Sequence, residues 1–303
     1  MESTNWIDNI ERSGKQATED ELFTILIPTW NNLPYLKKCV ESILTHSSYS
    51  HQLIVIVNEG TDGSAEWAKN QKNLDWVISP HNLGICFGLN AARRLIRTEY
   101  VMYMNDDMYV LPGWDQILKE EMVLIGHKSF MLSSTLIEPN DTGNPCVVVS
   151  NYGDTLESFE EDRLMREFQL IDKVDWAGST WPPNVMHLDV WDLVGGMSIE
   201  FSPGMYSDPD LSRKLYQAGV RHFKGLGKSR VYHFGSKSTG RRKVNRGRDT
   251  FILKWGITPR LFSRDYIYRG EPWSNPAPDD FSQSISHMSR LKLIWAAIQK
   301  NLK

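Results

Sequence analysis

The sequence predicts an α/β fold in which a Rossmann-like, mostly parallel sheet is flanked by helices. Short apolar segments alternate with helical patterns through the first hundred residues. Strands that alternate with helices pair in parallel through right-handed crossovers. The 303 residues and 41% hydrophobic content are enough to bury a sizeable core, which excludes general disorder.

Four strands and three helices are predicted in the first half of the chain. The strands are residues 23–27, 53–57, 76–78 and 100–104, each an apolar run. Apolar residues recur at helical spacing between Leu36 and Leu44 and between Ile85 and Ile96, and residues 64–72 suit a further helix. The order of these segments is strand, helix, strand, helix, strand, helix, strand.

The second half is less regular. Residues 147–149 and 229–233 are strand-like, whereas 189–194 and 211–218 are helical, with Gly219 ending the latter. Residues 236–248 are rich in Gly, Lys and Arg and are predicted to form a basic loop. A proline-rich spacer at 272–278 precedes a last helix.

Charge and cysteine content restrict the class of protein. The formal net charge of −3 gives no global attraction for nucleic acid. Cys39, Cys86 and Cys146 lack metal-ligand spacing and predict reduced thiols in a cytosol-like compartment. The N terminus has no apolar signal segment, and no run of about 18 apolar residues occurs. We therefore expect a cytoplasmic protein that does not span a membrane.

Two adjacent carboxylates follow the fourth strand. Asp106 and Asp107, preceded by Asn105, stand at the edge where open α/β sheets bind ligands. Hard oxygen ligands there favour Mg²⁺ or Mn²⁺, which complete their shell with water and substrate phosphates. The alternative is that these residues only start a turn.

The turn after the first strand argues against other nucleotide-binding classes. A dinucleotide-binding fold places a glycine-rich turn there, whereas this chain has Pro28-Thr-Trp-Asn-Asn32. The same absence argues against a sugar nucleotidyltransferase, and the chain contains no Gly-x-x-x-x-Gly-Lys-Ser/Thr loop. A bound diphosphate would therefore need a metal and basic side chains.

Five segments, in this order, resemble the inverting family 2 glycosyltransferases, which have the GT-A fold. They are residues 25–31, 55–64, 82–90, Asn105-Asp-Asp107 in the place of the family's Asp-x-Asp motif, and 194–211 together with 231–233. The resemblance covers roughly residues 23–235. It implies an N-terminal extension (1–20), a catalytic domain (21–235) divided near residue 110 into nucleotide-binding and acceptor halves, and a basic loop with a C-terminal helical tail (236–303).

The resemblance implies transfer of a sugar, with inversion, from a UDP- or dTDP-sugar to a glycan, lipid-linked or protein-linked hydroxyl acceptor. It implies Asp208 as the base, with Asp210 as its rival, and Asp107 and His233 as ligands of Mn²⁺ or Mg²⁺. Asn105 and Ser207 depart from the Asp and Glu of the family. Because Asn105 takes the place of the family's first Asp, the resemblance implies that Asp107 is the main carboxylate ligand of the metal. Asp106 is then expected to assist through ribose or water.

The remaining candidate site residues come from strand ends and from the same resemblance. Glu59 is a candidate acceptor for the imide hydrogen of uracil or thymine, with Asn58 as the alternative. Trp176 and Trp181 either stack on sugars or belong to the core. The predicted nucleotide-binding residues are Pro28, Thr29, Asn31, Asn58, Glu59, Asn82, Gly84, Asn90 and Asp106. The basic residues predicted to meet diphosphate or an anionic acceptor, unless they form a solvated charge run, are Lys237, Arg241, Arg242 and Lys243.

The last helix carries an apolar stripe with basic flanks. This pattern is typical of a helix lying on an anionic membrane surface, although docking on the protein's own core or pairing in a dimer explains it equally. The stripe is Met288, Leu291, Trp295, Ile298 and Leu302, and the basic residues are Arg290, Lys292, Lys300 and Lys303.

For the whole chain, two other functions remain open at this point: a non-catalytic nucleotide-sugar or glycan-binding module, and a sugar nucleotidyltransferase.

Overall fold

The computed structural model describes residues 9–13, 20–235 and 245–278, together with residues 291, 294, 295 and 298. Within these residues, one mixed sheet of eleven strands lies at the centre of the fold. Helices pack on both of its faces, as the sequence predicts. The predicted α/β class is confirmed.

The first half of the chain alternates strands and helices. All four predicted strands and all three predicted helices are confirmed. The elements are β1 (Glu11–Arg12), β2 (Phe23–Thr29), α1 (Leu33–His46), β3 (Gln52–Asn58), α2 (Ser64–Asn70), β4 (Asp75–Ser79), α3 (Ile85–Ala92) and β5 (Tyr100–Tyr103). β4, β3, β2 and β5 are neighbours in that order and pair in parallel.

The second half contains more regular structure than the sequence predicts. Its elements are β6 (Met108–Val110), α4 (Trp114–Ile125), β7 (Phe130–Glu138), β8 (Val148–Val149), α5 (Glu161–Glu167), β9 (Trp176–Ala177), β10 (Asn184–His187), α6 (Leu188–Leu193), α7 (Ser207–Gln217), β11 (His222–His233), α8 (Gly247–Trp255) and α9 (Pro259–Leu261). β7 and β10 were not predicted. Ser133, Ser134 and Thr135 interrupt the apolar run of β7, although the whole strand is buried.

β11, which comes late in the chain, lies between β6 and β7, two strands separated in sequence only by α4. The strand order is β1-β4-β3-β2-β5-β10-β7-β11-β6, with β8 beside β7 and β9 beside β11. β11 runs parallel to β7 and antiparallel to β6, and β10 is antiparallel to both of its neighbours. The sheet is therefore parallel from β4 to β5, with β1 antiparallel at its edge, and mixed in its second half.

Two apolar cores cover the two faces of the sheet. Successive side chains of a strand point to opposite faces, so Ile25 and Ile27 of β2 enter one core and Leu26 enters the other. The first core contains residues of α1 and α4, and the second contains residues of α3 and α7. Strands buried on both faces explain why the first-half strands read as continuous apolar runs.

The segment after residue 245 packs into the second core. Phe251 of α8 is buried there, and so is Phe262, which begins a π-helical turn (Phe262–Tyr266) after α9. The guanidinium of Arg213 in α7 lies 5.2–5.7 Å from four ring centroids, three of them in this segment. Residues on both sides of the predicted domain boundary at residue 235 therefore share one core. α8 begins inside the predicted basic loop, of which residues 236–244 lie outside the described residues.

In the described part of the chain, no helix is long and apolar enough to cross a membrane. Cys39, Cys86 and Cys146 are buried free thiols. For Cys86, burial raises the pKa to about 12. These thiols are thus held protonated in the core and are not poised for reaction.

Gly225 is the point at which β11 meets the buried indole of Trp176. A Cβ at this position would overlap the indole ring, and Trp176 is only 1% exposed. Overpacking a core forces side chains and backbone to shift, so we predict that Gly225→Ala lowers the free energy of unfolding by about 3 kcal/mol. Chemical denaturation measures this loss. Lys228→Ala, at an exposed position of the same strand, should change it by less than about 0.5 kcal/mol. Equal stability of the two variants would contradict the prediction.

Candidate active site

A cavity of about 1080 Å³ opens at the carboxyl ends of β2, β3 and β5. This is the edge at which open α/β sheets bind ligands. Its wall also includes the start of α7, the end of β11 and residues of the 259–271 segment. Ten predicted site residues lie on this wall: Pro28, Thr29, Asn58, Asn82, Gly84, Asp106, Asp107, Trp181, Asp208 and His233.

Asp107 and His233 face each other across the end of the sheet. β11 pairs with β6 so that His233 lies opposite Met108, next in sequence to Asp107. Asp107 Oδ1 lies 3.4 Å from His233 Nε2, and the other ring nitrogen, Nδ1, lies 2.8 Å from Glu138 Oε1. The carboxylate oxygen and the imidazole nitrogen therefore form a pair of potential metal ligands that is open to the cavity.

This pair fits a divalent cation that takes most of its ligands from elsewhere. Among the described residues, no group of three His, Cys, Asp or Glu side chains converges to hold a metal. Mg²⁺ and similar ions are commonly held by one or two protein side chains, with water and substrate phosphate completing the shell. The size of the cavity leaves room for such a diphosphate.

The acidic end of the cavity attracts positive charge. Burial and the neighbouring Asp107 carboxylate raise the pKa of Asp106, although Asn32 Nδ2 donates a hydrogen bond to its Oδ1 at 3.1 Å. Burial alone would lower the pKa of His233, but the carboxylates of Asp107 and Glu138 outweigh it and raise that pKa to about 10. A bound cation would compete with these protons for the same oxygens and nitrogen.

Asp208 is the second acidic centre on the cavity wall. It lies in the first turn of α7, and among the described residues no side chain donates a hydrogen bond to its carboxylate. Burial raises its pKa to about 7, and the positive charge of Arg269 opposes this rise. A carboxylate with a pKa near neutrality can accept a proton from a substrate.

Asp210, the predicted rival of Asp208, is held in a structural network away from the cavity. Its Oδ1 accepts a hydrogen bond from Trp255 Nε1 at 2.8 Å and lies 3.0 Å from Lys254 Nζ. The sequence predicts this helix over residues 211–218, whereas residues 207–217 are helical. Residues two apart on a helix point to different sides, so Asp208 faces the cavity and Asp210 does not.

Asn58 and Glu59 at the end of β3 differ in their position. Asn58 lines the cavity, and its Oδ1 is buried without a hydrogen-bond partner among the described residues. Glu59 has a positive φ of 53° and is not on the cavity wall. Of these two candidates, Asn58 is therefore the better-placed acceptor for a nucleotide base.

Three other predicted site residues hold the fold together and do not line the cavity. Asn31 Oδ1 accepts hydrogen bonds from Thr61 N at 2.7 Å and Thr61 Oγ1 at 3.1 Å. Asn90 bonds both main-chain groups of Met197, at 2.8 and 2.9 Å. Trp176 is the core residue that packs on β11. The polar groups of Asn31 and Asn90 serve to join distant loops.

The cavity wall also contains basic residues that the sequence analysis did not identify. Arg269 donates a hydrogen bond to Asn144 Oδ1 at 2.7 Å, and its guanidinium lies 5.5 Å from the ring centroid of Trp181. Arg260 and Arg264 also line the wall. The signal available was the repeated arginine of residues 260–269, but this segment follows the predicted end of the domain. The predicted basic residues Lys237, Arg241, Arg242 and Lys243 lie outside the described residues.

Comparison with known sequences identifies relatives of the first half of the chain. Residues 24–164 match the family described as Glycosyl transferase family 2. The chain is 30% identical to Glycosyltransferase GlyA of Streptococcus pneumoniae over 108 residues, which are 34% of this chain and 15% of that protein. It is 32% identical to the uncharacterized glycosyltransferase EpsJ of Bacillus subtilis over 104 residues, 33% of this chain and 30% of that protein. The chain thus matches less than a third of the length of either relative.

A solved structure resembles the fold over most of the chain. The crystal structure of GalNAc-T7 with UDP, GalNAc and Mn²⁺ superposes with a TM-score of 0.54 at 12% identity, covering 72% of this chain and 44% of that one. Identity this low shows the fold alone, and that fold is GT-A. Together with the family match over residues 24–164, it shows that the chain has the GT-A fold and that this part of it is similar to glycosyl transferase family 2.

Proposed function

We propose that this chain is a metal-dependent, inverting glycosyltransferase that moves a sugar from a UDP- or dTDP-sugar to an acceptor hydroxyl. The observation that carries this proposal is that Asp208 and the pair formed by Asp107 and His233 line one cavity. Direct displacement at the anomeric carbon needs positive charge at the leaving diphosphate and a base at the entering hydroxyl. The two acidic centres have the chemistry for these two tasks.

Asn58 is proposed to read the base of the nucleotide. Its unpartnered Oδ1 on the cavity wall can accept the imide N–H of uracil or thymine. Both bases carry this imide, so Asn58 does not distinguish UDP from dTDP. Pro28, Thr29, Asn82 and Gly84 form the adjoining wall.

Asp107 and His233 are proposed to hold the cation at the leaving group. When bound, Mn²⁺ or Mg²⁺ acts as a Lewis acid that neutralises charge on the diphosphate. Asp106, oriented by Asn32, assists through a ribose hydroxyl or a water molecule. The basic residues 237–243 are candidates to add charge at the same diphosphate.

Asp208 is proposed to take the proton from the acceptor hydroxyl. The acceptor oxygen forms a bond to the anomeric carbon as the bond from that carbon to the diphosphate breaks. Trp181 and Arg269 lie on the same wall and are proposed to contact the acceptor, which is a glycan or a lipid-linked or protein-linked hydroxyl.

A panel of nucleotide sugars incubated with the protein, Mn²⁺ and candidate acceptors tests the proposal. A glycosyltransferase releases nucleoside diphosphate. A binding module binds a nucleotide sugar without releasing nucleoside diphosphate. A nucleotidyltransferase releases pyrophosphate in a parallel incubation that contains a nucleoside triphosphate and a sugar phosphate. The identity of the released product therefore separates the three functions.

Asp107→Ala is predicted to abolish turnover and the tightening of UDP or dTDP binding by Mn²⁺, because one of two protein ligands is lost. Calorimetry with and without Mn²⁺ measures the tightening, and circular dichroism checks the fold. Asp192→Ala, which removes an exposed acid paired with Arg93, is the control and should retain both properties. Unchanged metal dependence in Asp107→Ala would exclude this assignment.

Asp208→Asn is predicted to bind donor normally but to lose turnover by about 10²–10⁴-fold, because the amide cannot accept a proton. Since the pKa of Asp208 is raised to about 7, its ionised form is present above that pH and is lost below it. The kcat/KM of the wild type should therefore fall as the pH drops through about 7. Asp210→Asn should lower stability but leave this pH profile in place. Near-normal turnover of Asp208→Asn would assign the base elsewhere.

We also propose that the last helix attaches the protein to an anionic membrane surface. Leu291, Ile294, Trp295 and Ile298 are helical and 50–61% exposed, and their spacing places them on one face. Four basic residues and no acidic ones occur between positions 290 and 303. Met288 and Leu302 lie outside the described residues. An apolar face with basic flanks suits anionic lipid, and a lipid-linked acceptor would lie on the same surface.

The double variant Leu291→Ser with Trp295→Ser is predicted to lose binding to anionic vesicles, because the exposed apolar face is removed. Co-sedimentation with phosphatidylglycerol-containing vesicles, compared with phosphatidylcholine alone, measures the binding. Leu124→Ser, at an apolar position 80% exposed on α4, is the matched control. Equal binding of all three proteins would contradict the prediction. A change of mass in light scattering that is confined to the double variant would indicate a dimer contact instead.

A further inference from the structure

Glu138 is a buried carboxylate that lies directly behind the cavity wall. It is the last residue of β7 and is 3% exposed. Its Oε1 lies 2.8 Å from His233 Nδ1 and 3.2 Å from Trp181 Nε1, and its Oε2 accepts a hydrogen bond from Thr142 Oγ1 at 3.1 Å. Donors from three separate segments therefore converge on one carboxylate.

The strand register explains this position. In the parallel pairing of β11 with β7, Tyr232 lies beside Ile137, so the next residues along the two strands are His233 and Glu138. In the antiparallel pairing on the other side, His233 lies opposite Met108, the residue that follows Asp107. The end of β11 thus lies between the two carboxylates.

The hydrogen bonds of Glu138 fix the orientation of the His233 and Trp181 rings. A carboxylate only accepts hydrogen bonds, so His233 Nδ1 and Trp181 Nε1 both donate to it. With Nδ1 bonded to Glu138, the His233 ring directs Nε2 toward Asp107 and the cavity. Turning either ring away would remove a partner from a buried carboxylate, and an unsatisfied buried polar group costs about 1–3 kcal/mol or more.

We propose that Glu138 is a positioning residue that holds His233 on the metal side and Trp181 on the acceptor side through a single oxygen. Histidines that bind metals are generally oriented in this way by a carboxylate or carbonyl on the other ring nitrogen. The same carboxylate also receives the N–H of Trp181, and Arg269 extends this connection because its guanidinium lies over the Trp181 ring. The assignment of His233 to the metal and of Trp181 to the acceptor rests on the proposed function. The hydrogen bonds of Glu138 to these two residues do not depend on it.

The test compares Glu138→Gln with Thr142→Val. Glutamine keeps the shape, and its one acceptor oxygen can still receive both ring N–H groups, but the loss of the negative charge weakens both hydrogen bonds. Thr142→Val removes only the bond to Oε2, from an exposed residue. Mn²⁺ affinity in the presence of UDP, measured by electron paramagnetic resonance, should fall 10–100-fold in Glu138→Gln and less than about twofold in Thr142→Val.

Proton resonances of the metal-free protein provide the second readout. The His233 Nδ1–H and Trp181 Nε1–H signals, assigned by their loss in His233→Gln and Trp181→Phe, should shift and exchange faster in Glu138→Gln. They should be unchanged in Thr142→Val. If Glu138→Gln does not fold, Glu138→Asp, which keeps the charge but shortens the reach, should show the same changes.

The outcomes separate this inference from the proposed function. Loss of Mn²⁺ affinity together with altered His233 and Trp181 signals supports it. A folded Glu138→Gln with wild-type affinity and wild-type signals overturns it. If the wild-type protein does not bind Mn²⁺ with UDP, the proposed metal dependence fails, and the two proton signals then decide whether Glu138 holds both rings.

Discussion

The candidate active site depends on how the end of β11 is paired. β11 is parallel to β7 and antiparallel to β6, so the position of His233 along the sheet is fixed by the register with each of these two strands. A shift of one residue would turn His233 to the other face of the sheet, since side chains alternate along a strand. Its neighbours Tyr232 and Phe234 belong to an apolar cluster on that other face. The row of Asp107, His233 and Glu138 is therefore a property of the sheet and not of any local sequence motif.

Three carboxylates at the cavity, of which Glu138 and Asp106 are buried and Asp208 is half-buried, differ in the hydrogen bonds that they receive. Glu138 receives three hydrogen bonds, and Asp106 receives one from Asn32. Asp208 receives none from a side chain in the part of the chain that the structure describes. A buried charge without partners is costly, and a folded chain keeps such a group only where the surrounding structure enforces it. In Asp208, this cost appears as the raised pKa that suits a base.

Much of the site could be predicted because its residues follow clean apolar strands. Asp107 lies in the short turn between β5 and β6, and His233 ends the predicted strand at 229–233. Glu138 could not be found in this way, because the run of β7 is interrupted by Ser and Thr and because its partner on β11 is 95 residues away. Nothing local in the sequence encodes that pairing.

The incorrect expectations also have physical causes. An asparagine amide can bind a ligand or join two loops, and only the fold decides which, as Asn31 and Asn90 show. The predicted helix at 211–218 begins after Pro209, whereas α7 begins at Ser207. Proline is compatible with the first turn of a helix, where its missing N–H has no partner to lose. The packed segment after residue 245 was missed because its apolar residues lack a regular period.

The strand order also determines when the protein can complete its fold during synthesis. β2, β3, β4 and β5 are close in sequence and can pair once they have left the ribosome. β7 has to wait for β11, because long-range parallel pairs form late and leave strand edges exposed until then. Until β11 pairs, Asp107 and Glu138 both lack their contact with His233. The nascent chain can therefore complete the row of Asp107, His233 and Glu138 only after residue 233 has been made.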